Sequence, residues 1–162
     1  MPIVPGFRFA EILRKAGNLI DETQVQPAGV DLTLLKVFKF SSTGSLNKAT
    51  VNLPNYTEVQ SQDGFFRLPA GAYKIRFKEI VEIPSDCVGI AFPRSSLLRM
   101  GVTINLAVWD PGYRGRGEAL LVVFNEYGVI LEQGARIAQL MLMKLAEKPH
   151  TTYKGRYLHE NI

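Results

Sequence analysis

The sequence contains one cysteine, one tryptophan and two histidines among 162 residues. Cys87 can therefore form neither an internal disulfide nor a Cys-x-x-Cys pair. His150 and His159 both lie near the C-terminal end, which excludes a structural Cys/His zinc site and the His/Cys/Cys zinc centre of zinc-dependent deaminases. A Ser-His-Asp triad would require one of these histidines to reach the core, and we do not expect one. Any catalysis would depend on carboxylates, amides, hydroxyls and basic side chains.

Long apolar runs are also absent. The runs Ala119–Phe124 and Ile137–Met143 are far shorter than the roughly 20 residues that a membrane-spanning helix needs. The segment Met1–Arg8 lacks the charged and then apolar pattern of a signal peptide. We therefore expect a cytoplasmic protein that does not bind a membrane.

The composition is that of one packed domain, with 46% apolar and 21% charged residues. Nineteen basic residues against 15 acidic ones give a net charge of +4, which suits a phosphate-bearing ligand but is also common on ordinary surfaces. No segment has the dense Lys/Arg block or the interleaved aromatics of a nucleic-acid-binding surface. A small mononucleotide is therefore a better candidate partner than a nucleic acid.

A helix is predicted over residues 7–18, where apolar residues follow helical spacing before the sequence Gly17-Asn18. Short strands separated by turn signals follow. The predicted strands are Val30–Phe40, Tyr73–Ile83, Cys87–Phe92, Val102–Val108, Glu118–Phe124, Val129–Leu131 and Ile137–Leu145. Because strands are frequent and helix is scarce, the sequence predicts a mainly β fold, an antiparallel barrel or jelly roll.

Two segments look peripheral to this fold. Ser41–Asn55 is polar and rich in turn residues, which predicts a surface excursion. Residues 149–162 are short and polar with aromatic residues, which predicts a mobile C-terminal arm beyond a β-barrel domain of residues 1–148.

Polar residues stand at predicted strand ends in four short segments. These are Pro27-Ala28-Gly29-Val30-Asp31-Leu32, Phe92-Pro93-Arg94-Ser95-Ser96-Leu97, Val108-Trp109-Asp110-Pro111-Gly112-Tyr113-Arg114-Gly115 and Gly134-Ala135-Arg136-Ile137-Ala138-Gln139-Leu140. Because loops and strand ends commonly carry binding and catalytic groups, we treat these segments as candidate site residues.

Each segment also has a purely structural interpretation. Asp-Pro-Gly is a common hairpin turn, and Ser95-Ser96 would suit the cap of a helix over Leu97–Met100. Asp31 and Arg136 would suit a buried ion pair without a catalytic purpose. Gln139 would suit a residue that satisfies a backbone group within an apolar strand.

The four segments together, in this order, resemble the superfamily of trimeric dUTPases and dCTP deaminases, and its archaeal branch most of all. That superfamily carries an Ala-Gly-x-Asp-Leu motif, a Pro-Arg-Ser-Ser-Leu motif, an Asp-x-x-Tyr-x-Gly hairpin and a Gly-x-Arg-Ile-Ala-Gln motif. The resemblance extends from about Pro27 to the C-terminal end. It implies a distorted β-barrel or jelly roll that assembles as a homotrimer with sites at the subunit boundaries.

The resemblance implies hydrolysis of dUTP to dUMP and pyrophosphate. Asp110 corresponds to the base that deprotonates the attacking water, and Gln139 to an amide that orients this water. Ser95 and Ser96 correspond to contacts with the α- and β-phosphates, with Arg94 balancing charge. Mg²⁺ is expected on the phosphate oxygens and water, without direct protein ligands.

Further roles follow from the same resemblance. Asp31 would link the metal's water shell to Arg136. Asn105 would contact the uracil edge, and Tyr113 would lie under the deoxyribose and exclude a 2′-hydroxyl. The C-terminal arm would close over the site, with Tyr157 stacked on the base and two cations on the outer phosphates. Those cations are Lys154 and Arg156.

Two alternatives remain open at this point. The related dCTP deaminases carry a glutamate on the strand after the Asp-Pro-Gly turn, at the position of Val122 here, and valine cannot transfer a proton. Deaminase or bifunctional activity is therefore the less favoured hypothesis. A non-catalytic nucleotide-binding regulator on the same fold is a second alternative, although it would not need both Asp110 and Gln139.

Overall fold

The computed structural model describes residues 2–162. The helices are α1 (Gly6–Lys15) and α2 (Ser95–Arg99), and a 3₁₀ turn spans Glu22–Gln24. The strands are β1 (Val25–Gln26), β2 (Gly29–Phe40), β3 (Ser45–Leu46), β4 (Val51–Asn52), β5 (Tyr56–Val59), β6 (Phe65–Leu68), β7 (Gly71–Phe77), β8 (Val81–Glu82), β9 (Cys87–Pro93), β10 (Val102–Asn105), β11 (Arg114–Gly115), β12 (Glu118–Val123), β13 (Val129–Glu132) and β14 (Arg136–Lys144).

Strand β2 joins the two parts of the main sheet. Its first half pairs with β14 and its second half with β7, within the order β10-β12-β7-β2-β14-β9. Strands β1 and β5 also pair with β2. Every one of these pairings is antiparallel, and the sheet curls into a nearly closed barrel. The predicted fold class, a mainly β distorted barrel, is confirmed.

The N-terminal helix is shorter than the sequence predicted. Phe9 and Leu13 are fully buried, as the helical spacing requires, but α1 ends at Lys15 rather than at residue 18. Gly17 has a φ of +95°, a left-handed conformation that favours glycine and ends a helix. Neither helix within residues 2–162 has the length and apolar character that a membrane-spanning segment requires.

Alternation along the strands decides which residues reach the interior. Ala138, Leu140 and Leu142 of β14 are fully buried, so the residues between them face outward from the barrel. Gln139 is one of these outward residues, and it lies opposite Asp31 of β2 and Phe92 of β9. The candidate glutamine therefore lies on the outer face of the sheet.

Several predicted elements differ from the structure in their bounds. The strand predicted over Tyr73–Ile83 is two strands, because the chain bends between β7 and β8. The strand predicted over Val102–Val108 ends at Asn105. Strands β5 and β6 were not predicted, because their surroundings are polar. The exposed pair β3 and β4 confirms the surface excursion at residues 41–55.

The start of α1 packs so tightly that glycine is required there. A Cβ on Gly6 would lie 1.8 Å from the carbonyl oxygen of Gln26 and 2.3 Å from that of Gly29. We expect Gly6→Ala to push α1 off β2 and to lower the free energy of unfolding by about 1–3 kcal/mol, as overpacking does. Urea denaturation measures this loss. Lys15→Ala, an exposed substitution on the same helix, should change stability by at most about 0.5 kcal/mol, and equal effects of the two variants would contradict the packing argument.

Candidate active site

A cavity of about 620 Å³ opens beside the hairpin that carries Asp110. Of the sequence-predicted site residues, it brings together Asn105, Asp110, Tyr113 and Tyr157. The other lining residues come from strands and from the C-terminal arm, and they are mostly aromatic or charged. They include Phe40, Tyr56, Lys74, Trp109, Glu118, Tyr153 and Glu160.

Asp110 is the first residue of a tight turn. The N–H of Tyr113 donates to the carbonyl of Asp110 at 3.1 Å, and Gly112 has a φ of +83°. Pro111 and Gly112 thus occupy the positions that a type II turn prefers for these residues. Backbone hydrogen bonds between Trp109 and Gly89 anchor the segment just before the turn. A rigid turn therefore presents the exposed Asp110 carboxylate at the cavity.

Tyr113 forms part of the cavity wall and is 3% exposed. Its hydroxyl donates to Glu160 Oε1 at 2.8 Å. Burial raises the pKa of Tyr113 far above its ordinary value, and the hydrogen bond to Glu160 raises it further. The pKa of Glu160 is also raised, with burial as its main cause. Tyr113 is thus held as a neutral phenol in a fixed orientation.

A fixed group of charges lies on another wall of the cavity. Glu118 accepts hydrogen bonds from Lys74 at 2.8 Å through one oxygen and from Arg76 at 2.8 Å through the other. The Lys74 ammonium also lies 3.8 Å from the centre of the Tyr56 ring. Because both oxygens of Glu118 are engaged by cations, this carboxylate is poorly suited to transfer a proton.

The C-terminal arm packs against its own chain. Tyr153 N–H donates to the carbonyl of Pro111 at 2.7 Å, and His159 N–H donates to that of Arg114 at 2.7 Å. Arg116 donates to the carbonyl of Asn161 at 3.0 Å. The arm contributes Tyr153, Tyr157 and Glu160 to the cavity, whereas Lys154 and Arg156 are not among the lining residues. Movement of the arm on ligand binding stays a prediction.

A second polar cluster surrounds Asp31, which is 1% exposed. One oxygen, Oδ2, lies 3.0 Å from Arg94 Nε and 3.5 Å from Arg136 Nη1. These are ionic contacts without hydrogen-bond geometry, since Oδ2 accepts no hydrogen bond within residues 2–162. Burial raises the pKa of Asp31, and the two arginines oppose this increase. The cluster thus presents two guanidinium groups, each partly exposed to solvent.

The two serines lie beside this cluster. Helix α2 begins at Ser95, directly after Arg94, and no side chain caps its start. Ser95 and Ser96 are therefore first-turn residues rather than capping residues, and both are exposed. Gln139 is half-buried and lies opposite Asp31. Arg94, Ser95, Ser96, Asp31, Arg136 and Gln139 all belong to this part of the molecule.

The cavity beside Asp110 and the Asp31 cluster are two separate groups among the described residues. Gln139 and the arginine cluster are absent from the residues, among 2–162, that line the cavity beside Asp110. The cavity combines an acid with aromatic walls, and the cluster combines cations with hydroxyls and an amide. One group suits a nucleoside, and the other suits phosphate oxygens.

Comparison with known proteins identifies the family. The family model for dCTP deaminase-like proteins matches residues 10–145, and the chain belongs to this family. The chain is 45% identical over 138 residues to the probable deoxyuridine 5′-triphosphate nucleotidohydrolase of Aeropyrum pernix, covering 85% of this chain and 87% of that protein. It is 38% identical over 168 residues to the probable deoxyuridine 5′-triphosphate nucleotidohydrolase of Archaeoglobus fulgidus, covering 100% and 99%.

A solved structure shares the fold. The 2′-deoxycytidine 5′-triphosphate deaminase of Agrobacterium tumefaciens superposes with a TM-score of 0.69 at 17% identity, covering 86% of this chain and 48% of that one. The resemblance predicted from the four motifs is thus confirmed at the level of family and fold.

The sequence reasoning missed several residues of the cavity. The sequence places Lys74 and Glu118 in predicted strands without a role in the site, and Glu160 in the polar C-terminal arm. The strand alternation places Lys74 and Glu118 on the face opposite the core, which was a usable signal. Nothing local in the sequence indicates that Glu160 meets Tyr113, 47 residues away.

The buried Glu160 carboxyl predicts a pH dependence of stability. Because its pKa is raised above the ordinary 4.5 on folding, Glu160 contributes stability below that pKa, and the contribution is lost as pH rises through the folded-state value. Glu160→Gln removes this ionisation and keeps an oxygen that accepts from Tyr113. We expect the melting temperature of the variant, relative to that of the natural protein, to increase as pH rises from about 4 to 7. Thermal unfolding across this range measures the difference.

The matched control is Glu126→Gln, which makes the same change at an exposed carboxylate. It should follow the pH profile of the natural protein. Identical profiles for Glu160→Gln and the natural protein would contradict the burial of this carboxyl against Tyr113.

Proposed function

We propose that this chain hydrolyses dUTP to dUMP and pyrophosphate by attack of water on the α-phosphorus. The observation that carries the proposal is the Asp110 carboxylate, held by a rigid turn at the mouth of an aromatic cavity of nucleoside size. The archaeal relatives that carry the name deoxyuridine 5′-triphosphate nucleotidohydrolase match nearly the whole chain, which supports it.

The attacking water needs a base and a fixed orientation. Asp110 would accept its proton, and the side-chain amide of Gln139 would hold the same water in line with the bond that breaks. The leaving pyrophosphate departs from the α-phosphorus as the new bond to the water oxygen forms. A positioned base of this kind contributes about 10²–10⁴ in rate.

The second cluster would bind the phosphates. Arg94 and Arg136 are partly exposed beside Asp31, and the exposed hydroxyls of Ser95 and Ser96 follow directly in the chain. Such donors stabilise the charge that develops as the bond to the leaving group breaks. Lys154 and Arg156 of the arm would meet the outer phosphates only after the arm changes its position.

The residues present fit a Mg²⁺ ion held mainly by the substrate. Within residues 2–162 no group of three His, Cys, Asp or Glu side chains is placed to hold a metal, so phosphate oxygens and water would supply most of the ligands. Asp31 fits a contact to that water shell, because its Oδ2 accepts no hydrogen bond. When bound, the ion would neutralise charge on the phosphate oxygens.

The nucleobase would be selected by polar groups at the end of β10. This strand is last in the sheet order, so one edge of its backbone pairs with no strand in residues 2–162. Free amide and carbonyl groups beside Asn105 would match the N3–H donor and O4 acceptor of uracil, whereas cytosine presents the opposite pattern. Unpaired buried polar groups make such discrimination strong. Tyr113 would pack against the deoxyribose, and Tyr157 would stack on the base.

A homotrimer with sites between subunits would complete the arrangement. Asp110 and Gln139 lie in separate places within one chain, so a second copy is needed to bring them to one water. The outer face of β9 and β14 around Gln139 is apolar and incompletely buried, which supports an interface there. Its residues are Val88, Ile90, Phe92, Met141 and Met143. The cytoplasmic location expected from the sequence stays a prediction.

Deamination of dCTP is the second candidate, since the family model describes dCTP deaminase-like proteins. Val122 occupies the position at which the resemblance places the glutamate of the deaminases, and it lies opposite Thr103 and Ala72 in the sheet. Glu118 does not replace it, because Lys74 and Arg76 hold both of its oxygens. The hydrolase is therefore the better-supported function.

A panel of nucleotides tests this choice. We expect pyrophosphate release from dUTP to exceed that from dCTP and UTP by at least about 100-fold, because cytosine would leave polar groups unpaired and a 2′-hydroxyl would clash with Tyr113. Release of pyrophosphate and of ammonia should be followed with and without Mg²⁺. Ammonia release from dCTP as fast as dUTP hydrolysis would establish a deaminase or bifunctional enzyme instead.

Mixing two inactive variants tests the shared site. Asp110→Asn should keep dUTP binding and lose about 10²–10⁴ in kcat, and Gln139→Ala should also be severely impaired. If Asp110 and Gln139 come from different copies, a 1:1 mixture reassembled from both variants regains about a quarter of the intact sites. Activity of the reassembled mixture, with the oligomer size from light scattering, measures this.

The control is a mixture of Asp110→Asn with Asp110→Asn/Gln139→Ala, in which every chain lacks the carboxylate. It should remain inactive. No recovery in the first mixture, despite proven subunit exchange, would place both groups in one chain and contradict the proposal. Full turnover by Asp110→Asn alone would exclude Asp110 as the base.

A further inference from the structure

Glu79 is a buried carboxylate outside both groups of site residues. It lies in the bend between β7 and β8 and is 4% exposed. Its oxygens accept hydrogen bonds from Thr33 N at 2.8 Å, Thr33 Oγ1 at 2.7 Å and Gln24 Nε2 at 2.9 Å. No basic side chain in residues 2–162 forms an ion pair with it. A carboxylate buried without a cation is costly, and here three donor groups, from Thr33 and Gln24, offset that cost.

The Gln24 side chain connects Glu79 to the backbone of Asp31. Gln24 Nε2 donates to the carbonyl of Asp31 at 2.9 Å as well as to Glu79. Its oxygen accepts from the N–H of Asp21 at 3.0 Å. The amide cannot reverse without losing these contacts, so Glu79 and Asp31 are held by one fixed side chain.

Thr33, which donates through both its backbone N–H and its hydroxyl, connects Glu79 to Arg136. Thr33 is two residues after Asp31 on β2 and lies directly opposite Arg136 of β14. The Arg136 guanidinium also donates to the carbonyl of Thr23, within the 3₁₀ turn that Gln24 ends. Glu79 therefore binds both elements to which Arg136 is attached, the strand β2 and the 3₁₀ turn.

We infer that Glu79 is a positioning residue, which fixes Arg136 and Asp31 and through them the site for the phosphate groups of the nucleotide. The inference rests on the proposed function for the identity of the ligand. Glutamine cannot replace Glu79 in this role, because its NH₂ group would face either Thr33 N–H or the Gln24 amide NH₂, which are both donors. The contact that fixes the 3₁₀ turn or the strand is then lost.

The experiment measures phosphate binding apart from turnover. Calorimetry gives the Kd of inorganic tripolyphosphate and of deoxyuridine for the natural protein and for Glu79→Gln, and steady-state kinetics give kcat and KM for dUTP. We expect the tripolyphosphate Kd and the KM to rise between about tenfold and 100-fold, the range expected when a hydrogen bond to a charged group is weakened or lost. Deoxyuridine, which has no phosphate, should bind both proteins equally.

Two further variants separate positioning from general stability. Glu58→Gln makes the same change at an exposed carboxylate paired with Lys36, and it should leave every value unchanged. Gln24→Met removes the amide and keeps the length of the side chain, so it should weaken tripolyphosphate to a similar degree. The double variant Gln24→Met/Glu79→Gln should be no weaker than either single one, because the two residues act in one chain of contacts.

Each outcome decides the inference. A Glu79→Gln protein with a lowered melting temperature but an unchanged tripolyphosphate Kd would show a structural role only and overturn it. Failure of the natural protein to bind tripolyphosphate would also overturn it. If the natural protein binds tripolyphosphate but releases no pyrophosphate from dUTP, the proposed function fails, and the affinities still decide the role of Glu79. If Glu79→Gln does not fold, Gln24→Met decides it.

Discussion

The burial of one carboxylate, Asp31, constrains the cluster that we propose as the phosphate-binding part of the site. Removing a carboxylate from water costs several kcal/mol, and here two arginines offset that cost. Arg94 follows β9 and Arg136 begins β14, and both strands belong to the sheet in which Asp31 lies. The contacts that offset the cost of burying Asp31 therefore also bring two cations together at the surface. Loss of either arginine would remove part of this compensation.

The separation of the candidate residues into two groups follows from the sheet. Residues of β14 alternate between the core and the outer face, so Gln139 must point away from the barrel interior when Ala138 and Leu140 point into it. Asp110 is held at the cavity by the turn after Trp109. A triphosphate nucleotide has a flat, uncharged end and a highly charged end, and the two groups of residues suit these ends separately. Under the proposed function, assembly of copies would unite the two groups.

Sequence patterns predicted the parts of this structure that local rules decide. The alternation of Tyr73, Ile75 and Phe77 predicted β7, and the sequence Asp-Pro-Gly predicted the turn at Asp110, since proline and glycine fix the backbone there. The motifs also selected the residues of the arginine cluster. Their grouping into two separate places could not be predicted, because it depends on which strands pair across the sheet.

Long-range polar contacts were beyond the reach of those patterns. Gln24 and Glu79 are 55 residues apart, and each looks like an ordinary polar residue in its own segment. The bend at Lys78–Ile80 that divides the predicted strand Tyr73–Ile83 exists where Glu79 turns inward to Thr33. Alternation alone places Glu79 on the core-facing side of the strand, together with Tyr73, Ile75 and Phe77. It does not indicate which residues would bind the carboxylate there.

The family relationship does not by itself decide between hydrolysis and deamination, because one fold supports both chemistries and function depends on the site. Deamination of cytosine without zinc needs a group that transfers protons at the base. Two of the carboxylates that line this cavity are engaged, Glu118 by two cations and Glu160 by the Tyr113 hydroxyl. Asp110 has no such partner among residues 2–162 and is exposed to water. The free carboxylate is thus the one placed to activate a water molecule, whereas the two engaged carboxylates are poorly suited to the proton transfers that deamination requires.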